Sequence, residues 1–119
     1  MPAFQPILLE ELLGTKMRAL YQRKKGRDLF DFFVMFKHYP ELDFQQIIDC
    51  FNFYIEKEGN NISKADFEQN MDKKLTDNIF LEDIIPLLRQ DSSYAPQLAY
   101  TEFHRNLVCR LPGGLDSTA

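Results

Sequence analysis

The sequence predicts an all-α protein, a small bundle of five or six helices. Apolar residues recur three and four positions apart along most of the chain, which gathers them on one face of a helix. Alternation of period two never persists long enough to make a half-buried strand. Turn-forming clusters such as "KKG", "EGNN" and "DSSYAP" separate the periodic runs. A length of 119 residues supports one domain with a single modest core, expected over residues 1–115 with a frayed tail at 116–119. Eleven Phe among 45% apolar residues indicate a packed interior rather than a disordered segment.

The first helix runs from about Ile7 to Arg23, with Leu9, Leu12, Leu13, Met17 and Leu20 forming one stripe. Lys24-Lys25-Gly26 ends it, glycine being suited to a left-handed stop. Asp28 is expected to cap the second helix, with Asp31 in its first turn. "DLFDFFVMFKHY" is apolar on nearly every side past that turn and should be buried, until Pro40 ends it. Asp43 opens a third helix with Phe44, Ile47, Ile48, Phe51, Tyr54 and Ile55 inward, and Gly59-Asn60-Asn61 breaks it. Ser63 and Asp66 have capping-box spacing and open a fourth helix through Phe67 and Met71. The fifth segment, "NIFLEDIIPLLRQ", is kinked or started by Pro86. Pro96 fits the first turn of a last helix, with Leu98, Phe103, Leu107 and Leu111 inward, and Pro112-Gly113-Gly114 stops it.

No run approaches the ~18 to 20 apolar residues of a membrane span, and "MPAFQPILLEELLG" has no signal-peptide pattern. Cys50 and Cys109 sit in helical patterns and are expected to be buried free thiols in a reducing compartment. Together these predict a cytoplasmic, soluble protein. The net charge of −4 conceals an asymmetry. Residues 16–27 hold Lys16, Arg18, Arg23, Lys24, Lys25 and Arg27 and no acid, leaving eight basic residues against all 18 acidic ones elsewhere. Such a patch suits a local phosphate or nucleotide site, whereas the acidic remainder opposes non-specific coating of nucleic acid.

Lys16, Arg23, Arg27, Asp28 and Asp31 are the residues with most chemical potential. Each has a plain structural reading as well. Lys16 can bury its stem and extend its ammonium to water. Asp28 can simply cap, Asp31 can complement the helix dipole, and the cations can favour a helix C-terminus. Jointly, however, one helix ending in cations and the next opening with free amides turn toward one corner, where an anion can be held. Lys16 would neutralise a polyphosphate there, and a carboxylate would orient it or accept a proton. His38 and His104 lack partners at zinc-ligand spacing. No Ser–His–Asp or Cys–His arrangement is evident, nor the Arg-then-His pattern of HEPN-type ribonucleases.

"ELLGTKMRALYQRKKGRDLFDFF" resembles the segment of AbiEii/AbiGii-type nucleotidyltransferase toxins that carries a lysine-bearing helix followed by "RKxRDxxD". The resemblance is specific over residues 11–36 and general beyond Asp43. It implies the helical region that follows a polymerase-β-like core in type IV toxin–antitoxin and phage-defence proteins. It places the family's lysine on Lys16, its Arg-Asp pair on Arg27 and Asp28, and the following aspartate on Asp31. The candidate nucleotide-binding residues are therefore Lys16, Arg23, Lys25 and Arg27, and the candidate catalytic residues Asp28 and Asp31. For the complete enzyme the resemblance implies magnesium and a nucleoside triphosphate. Its Gly-Ser turn and paired strand carboxylates have no counterpart before residue 16. The expectation is a C-terminal helical part that is inactive alone, answered by an antitoxin or completed by a separately encoded N-terminal half. Apolar surface left on the first two helices then predicts a homo-oligomer. The alternative is a non-enzymatic helical protein-interaction module or homodimer; no membrane partner is expected, and the sequence gives no direct evidence for DNA.

Overall fold

The first helix, α1 (Leu9–Gln22), turns Leu13, Met17 and Leu20 inward against Ile47, Ile48, Phe51 and Ile55 of α3 (Phe44–Lys57). Gly14 permits this close approach: a Cβ there would lie 2.6 Å from the Cys50 Cβ and 3.1 Å from the Ile47 carbonyl oxygen. The computed structural model describes residues 8–86 and 94–112. Besides α1 and α3 these form α2 (Gly26–His38), α4 (Lys64–Lys74), α5 (Asn78–Glu82), α6 (Pro96–Asn106) and a terminal 3-10 turn, Val108–Arg110. Among the described residues there is no strand, as the periodicity predicts. No described helix is long and apolar enough to cross a membrane.

The phenylalanines join the helices at the centre. Phe32 of α2 meets Phe103 of α6 edge-on at 4.8 Å, Phe103 lies 5.7 Å from Phe67 of α4, and Phe67 lies 5.9 Å from Phe51 of α3. All four are fully buried, and each contributes about 1.5–3 kcal/mol by leaving water. Local signals fix the ends. Asp43 accepts from the Gln46 amide, and Ser63 and Asp66 form a reciprocal capping box. Gly59 takes the left-handed turn (φ +84°), and Pro96 opens α6.

Several expectations fail for identifiable reasons. Gly26 does not stop α1; it begins α2, buried, where a Cβ would lie 2.2 Å from the Phe80 carbonyl oxygen. Its missing side chain admits α5. Asp28 does not cap α2 either. Lys25 occupies that position without a side-chain cap, and Asp28 lies inside the first turn while Asp31 is one turn further along. The fifth segment has only five helical residues before turning, and its continuation past Pro86 lies outside the described residues. Leu98 is 71% exposed, because Ala99 and Phe103 set the buried phase of α6. Leu107 and Leu111 are buried as expected, although the chain has left α-helical geometry at Leu107. Cys50 is half-buried and Cys109 exposed, so the two thiols are not core residues. The expected start at Ile7, stop at Gly113-Gly114 and tail at 116–119 lie outside the described residues.

Candidate functional site

Lys16 sits one helical step away from Met17, so it borders the buried stripe of α1 instead of interrupting it, and Leu12 beside it is 47% exposed. Its ammonium reaches α2, with Nζ 2.8 Å from Asp31 Oδ2 and 3.7 Å from Asp28 Oδ1. Arg23, which ends α1, folds back onto the same carboxylate. Its Nε and Nη2 donate to Asp28 Oδ2 and Oδ1, both at 3.0 Å. This is the two-pronged geometry in which guanidinium and carboxylate match best. Asp28 is fully buried. The hydrogen bonds and charge of Asp28 hold the Arg23 guanidinium above its ordinary value. The dipole of α2 adds to the stabilisation, since Asp28 stands in its first turn.

Two cations and two carboxylates thus form a neutral cluster where α1 gives way to α2. The rest of the basic run diverges from it. Lys24 pairs with Asp77 at 3.0 Å, Lys25 is exposed, and Arg27 is exposed with its backbone amide donating to Asp83 Oδ2 at 3.0 Å. Of the six candidate residues, the structure gathers Lys16, Arg23, Asp28 and Asp31; it leaves the Lys25 and Arg27 side chains at the surface.

Lys16 and Asp31 stand on the wall of a groove of about 530 Å³ between α1 and α2. Leu12, Leu13, Phe30, Val34 and Met35 complete its lining. An apolar cleft of this size with one convergent polar pair has the character of a ligand or partner site. The same residues do not suit magnesium. Both oxygens of Asp28 are engaged by Arg23 and one of Asp31 by Lys16, and among the described residues no three His, Cys, Asp or Glu side chains are placed to hold a metal.

Two features escape the sequence reading. Lys74 is buried and sends Nζ to the carbonyls of Leu20 and Tyr21, closing the last turn of α1. Burial pushes its ammonium down to about 8. Its place in the "MDKK" run gives no sign of this, since Lys73 next to it is exposed. The second is a Cys–His contact. Cys109 Sγ lies 3.5 Å from His104 Nδ1, and His104 Nε2 lies 2.7 Å from Glu68 Oε2. Residues five apart do not share an α-helical face; the change of helix type at Leu107 brings them together.

Neither the curated proteins nor the solved structures contain a match to this sequence. A family model does match over residues 4–105, the one describing the nucleotidyl transferase AbiEii toxin of type IV toxin–antitoxin systems. That span includes the whole Lys16–Arg23–Asp28–Asp31 cluster, and the chain belongs to the AbiEii nucleotidyltransferase toxin family.

Proposed function

We propose that this helical chain forms the lysine-bearing wall of a nucleotidyl-transfer site. In this reading Lys16 meets the triphosphate of the nucleotide, and the apolar groove between α1 and α2 receives less polar parts of the substrate. The observation that carries the reading is the Lys16–Asp31 pair, 2.8 Å long and only partly shielded from water, at the wall of that groove. Asp31 orients the ammonium while the site is empty, and a phosphate takes its place when nucleotide arrives. Arg23 and Asp28 are positioning residues that fix the α1–α2 corner. Lys25 and Arg27 supply a positive approach at longer range.

Nucleotidyl transfer takes a nucleoside triphosphate and magnesium, and the carboxylates described here do not suit the metal. The metal-holding groups of the reaction therefore belong to a different segment or polypeptide, and the 119 residues alone transfer no nucleotide. Family membership implies an antitoxin partner. The apolar lining and the half-exposed Leu12 also favour a second reading, in which the groove docks a protein and Lys16 faces a carboxylate across that interface.

Calorimetric titration of the chain with each nucleoside triphosphate, with and without magnesium, separates the readings. Binding that disappears in Lys16→Ala, with the helical content retained, supports a nucleotide-facing wall. Heat-silent titrations with every nucleotide leave the docking module. Nucleotidyl transfer by the purified chain would refute the assignment of the metal site elsewhere.

A further inference from the structure

The contact of Cys109 with His104 belongs to an ordered relay of nucleophile, base and orienter. Glu68 on α4 lies 2.7 Å from His104 Nε2, and Lys64 Nζ stands 3.5 Å behind the carboxylate. An ionised carboxylate only accepts, so in this 2.7 Å contact Nε2 is the donor, and its hydrogen bond holds Glu68 below the usual carboxylate range. Nδ1 is then the basic nitrogen, turned toward Cys109 Sγ at 3.5 Å. The imidazole also packs T-shaped against the Tyr100 ring, with the ring centroids 5.8 Å apart. On the thiol side, Val108 and Leu111 are buried on either side of Cys109 and pin the 3-10 turn, while Cys109 itself is exposed. The Lys64 amide donates to the Pro112 carbonyl at 2.9 Å and ties this turn back to the start of α4.

The three side chains do not converge on a common point. The imidazole lies between the other two and uses a different nitrogen for each, which suits proton transfer and not metal binding. Cys50 provides the contrast: it is half-buried beside Glu10, Glu11 and Asp49, and burial with those charges pushes its thiol up.

We propose that Cys109 is a thiol-modification site, in which His104 positioned by Glu68 activates the sulfur toward small disulfides. The thiol proton passes to His104 Nδ1 as Sγ attacks one sulfur of a low-molecular-weight disulfide. The S–S bond of the reagent breaks and a new S–S bond forms to Cys109. The departing thiolate takes the proton from His104, so one disulfide and one thiol enter and one mixed disulfide and one thiol leave. Cys109 sulfur is oxidised and the leaving sulfur is reduced.

The test is the rate at which the full chain forms a mixed disulfide with oxidised glutathione, followed by peptide mass spectrometry at Cys109 and Cys50. Cys109 is modified before Cys50, and His104→Gln slows it by about tenfold. This falls short of the ~10²–10⁴ of a fully engaged catalytic base because the 3.5 Å contact is long and open to water. Glu68→Gln slows it less, and added imidazole restores the rate in His104→Ala. Equal rates in the parent, His104→Gln and Glu68→Gln chains, with helical content unchanged, would overturn the proposal. So would a failure of imidazole to rescue, or earlier modification of Cys50.

Discussion

Asp28 and Lys74 are the charged residues buried among those described, and both serve the last turn of α1. Asp28 answers charge with charge: Arg23 grips both its oxygens and Lys16 stands 3.7 Å away. Lys74 answers charge with dipoles, donating to the Leu20 and Tyr21 carbonyls at the end of the helix, the second of which also accepts from Asn70 Nδ2 at 3.1 Å. Burial lowers the Lys74 ammonium to about 8, with nearby Lys24 pushing in the same direction and Asp28 opposing it. An ion pair and a dipole cage both keep a buried charge, and in the cage burial brings the Lys74 ammonium within reach of neutral pH.

The largest effect expected is from breaking the first arrangement. Arg23→Ala strands a buried carboxylate, with Lys16 at 3.7 Å as its remaining ion-pair partner. The loss in stability is about 2–3 kcal/mol, below the ~3–5 of a fully buried pair because the guanidinium is half exposed and screened by water. Urea unfolding checks this, and Arg23→Lys recovers only part, since an ammonium does not match both oxygens.

The second arrangement is tested by pH. The folded-state value of Lys74, about 8, lies below its ordinary 10.5, so between them the unfolded chain binds more protons than the folded one. Unfolding takes up a proton, and stability rises with pH across this window. Relative to Lys74→Met, the parent chain gains about 2 kcal/mol between pH 8 and about pH 10, measured as the difference between two series of urea midpoints. A flat difference would show that the carbonyls hold the ammonium as firmly as water does.

Smaller effects sharpen the division between scaffold and site. Lys16→Met costs under about 1 kcal/mol, since Arg23 still holds Asp28, while nucleotide binding falls below detection. An equal loss of both would reassign Lys16 to the scaffold. Lys24→Ala moves least: removing a neighbouring positive charge shifts the Lys74 pH midpoint upward by a fraction of a unit.

Much of this was legible in the sequence where the cause was local. The Ser63–Asp66 capping box, the Asp43 cap, the Gly59 turn and Pro96 each depend on a few neighbouring residues. Lys16 and Asp31 were legible through spacing and family likeness, and their 2.8 Å pair joins neighbouring helices. Gly26 and Cys109 were misread, and Lys74 was passed over, for the opposite reason. Gly26 answers to the Phe80 carbonyl, Lys74 to carbonyls more than fifty residues earlier, and Cys109 to a change of helix type at Leu107. Leu98 failed on phase alone: one step round α6 separates it from buried Ala99.

The Lys74 clip also has a consequence in time. Lys16, Arg23, Asp28 and Asp31 have all been made once residue 31 is added, whereas the donor that closes α1 arrives 43 residues later. At ribosomal speeds of ~5–20 residues per second that interval is roughly 2–9 s, far longer than the microseconds a helix needs to form. On a ribosome the charged corner has all its members while the last turn of α1 still waits for its lysine, and a chaperone or partner has seconds in which to meet that open end.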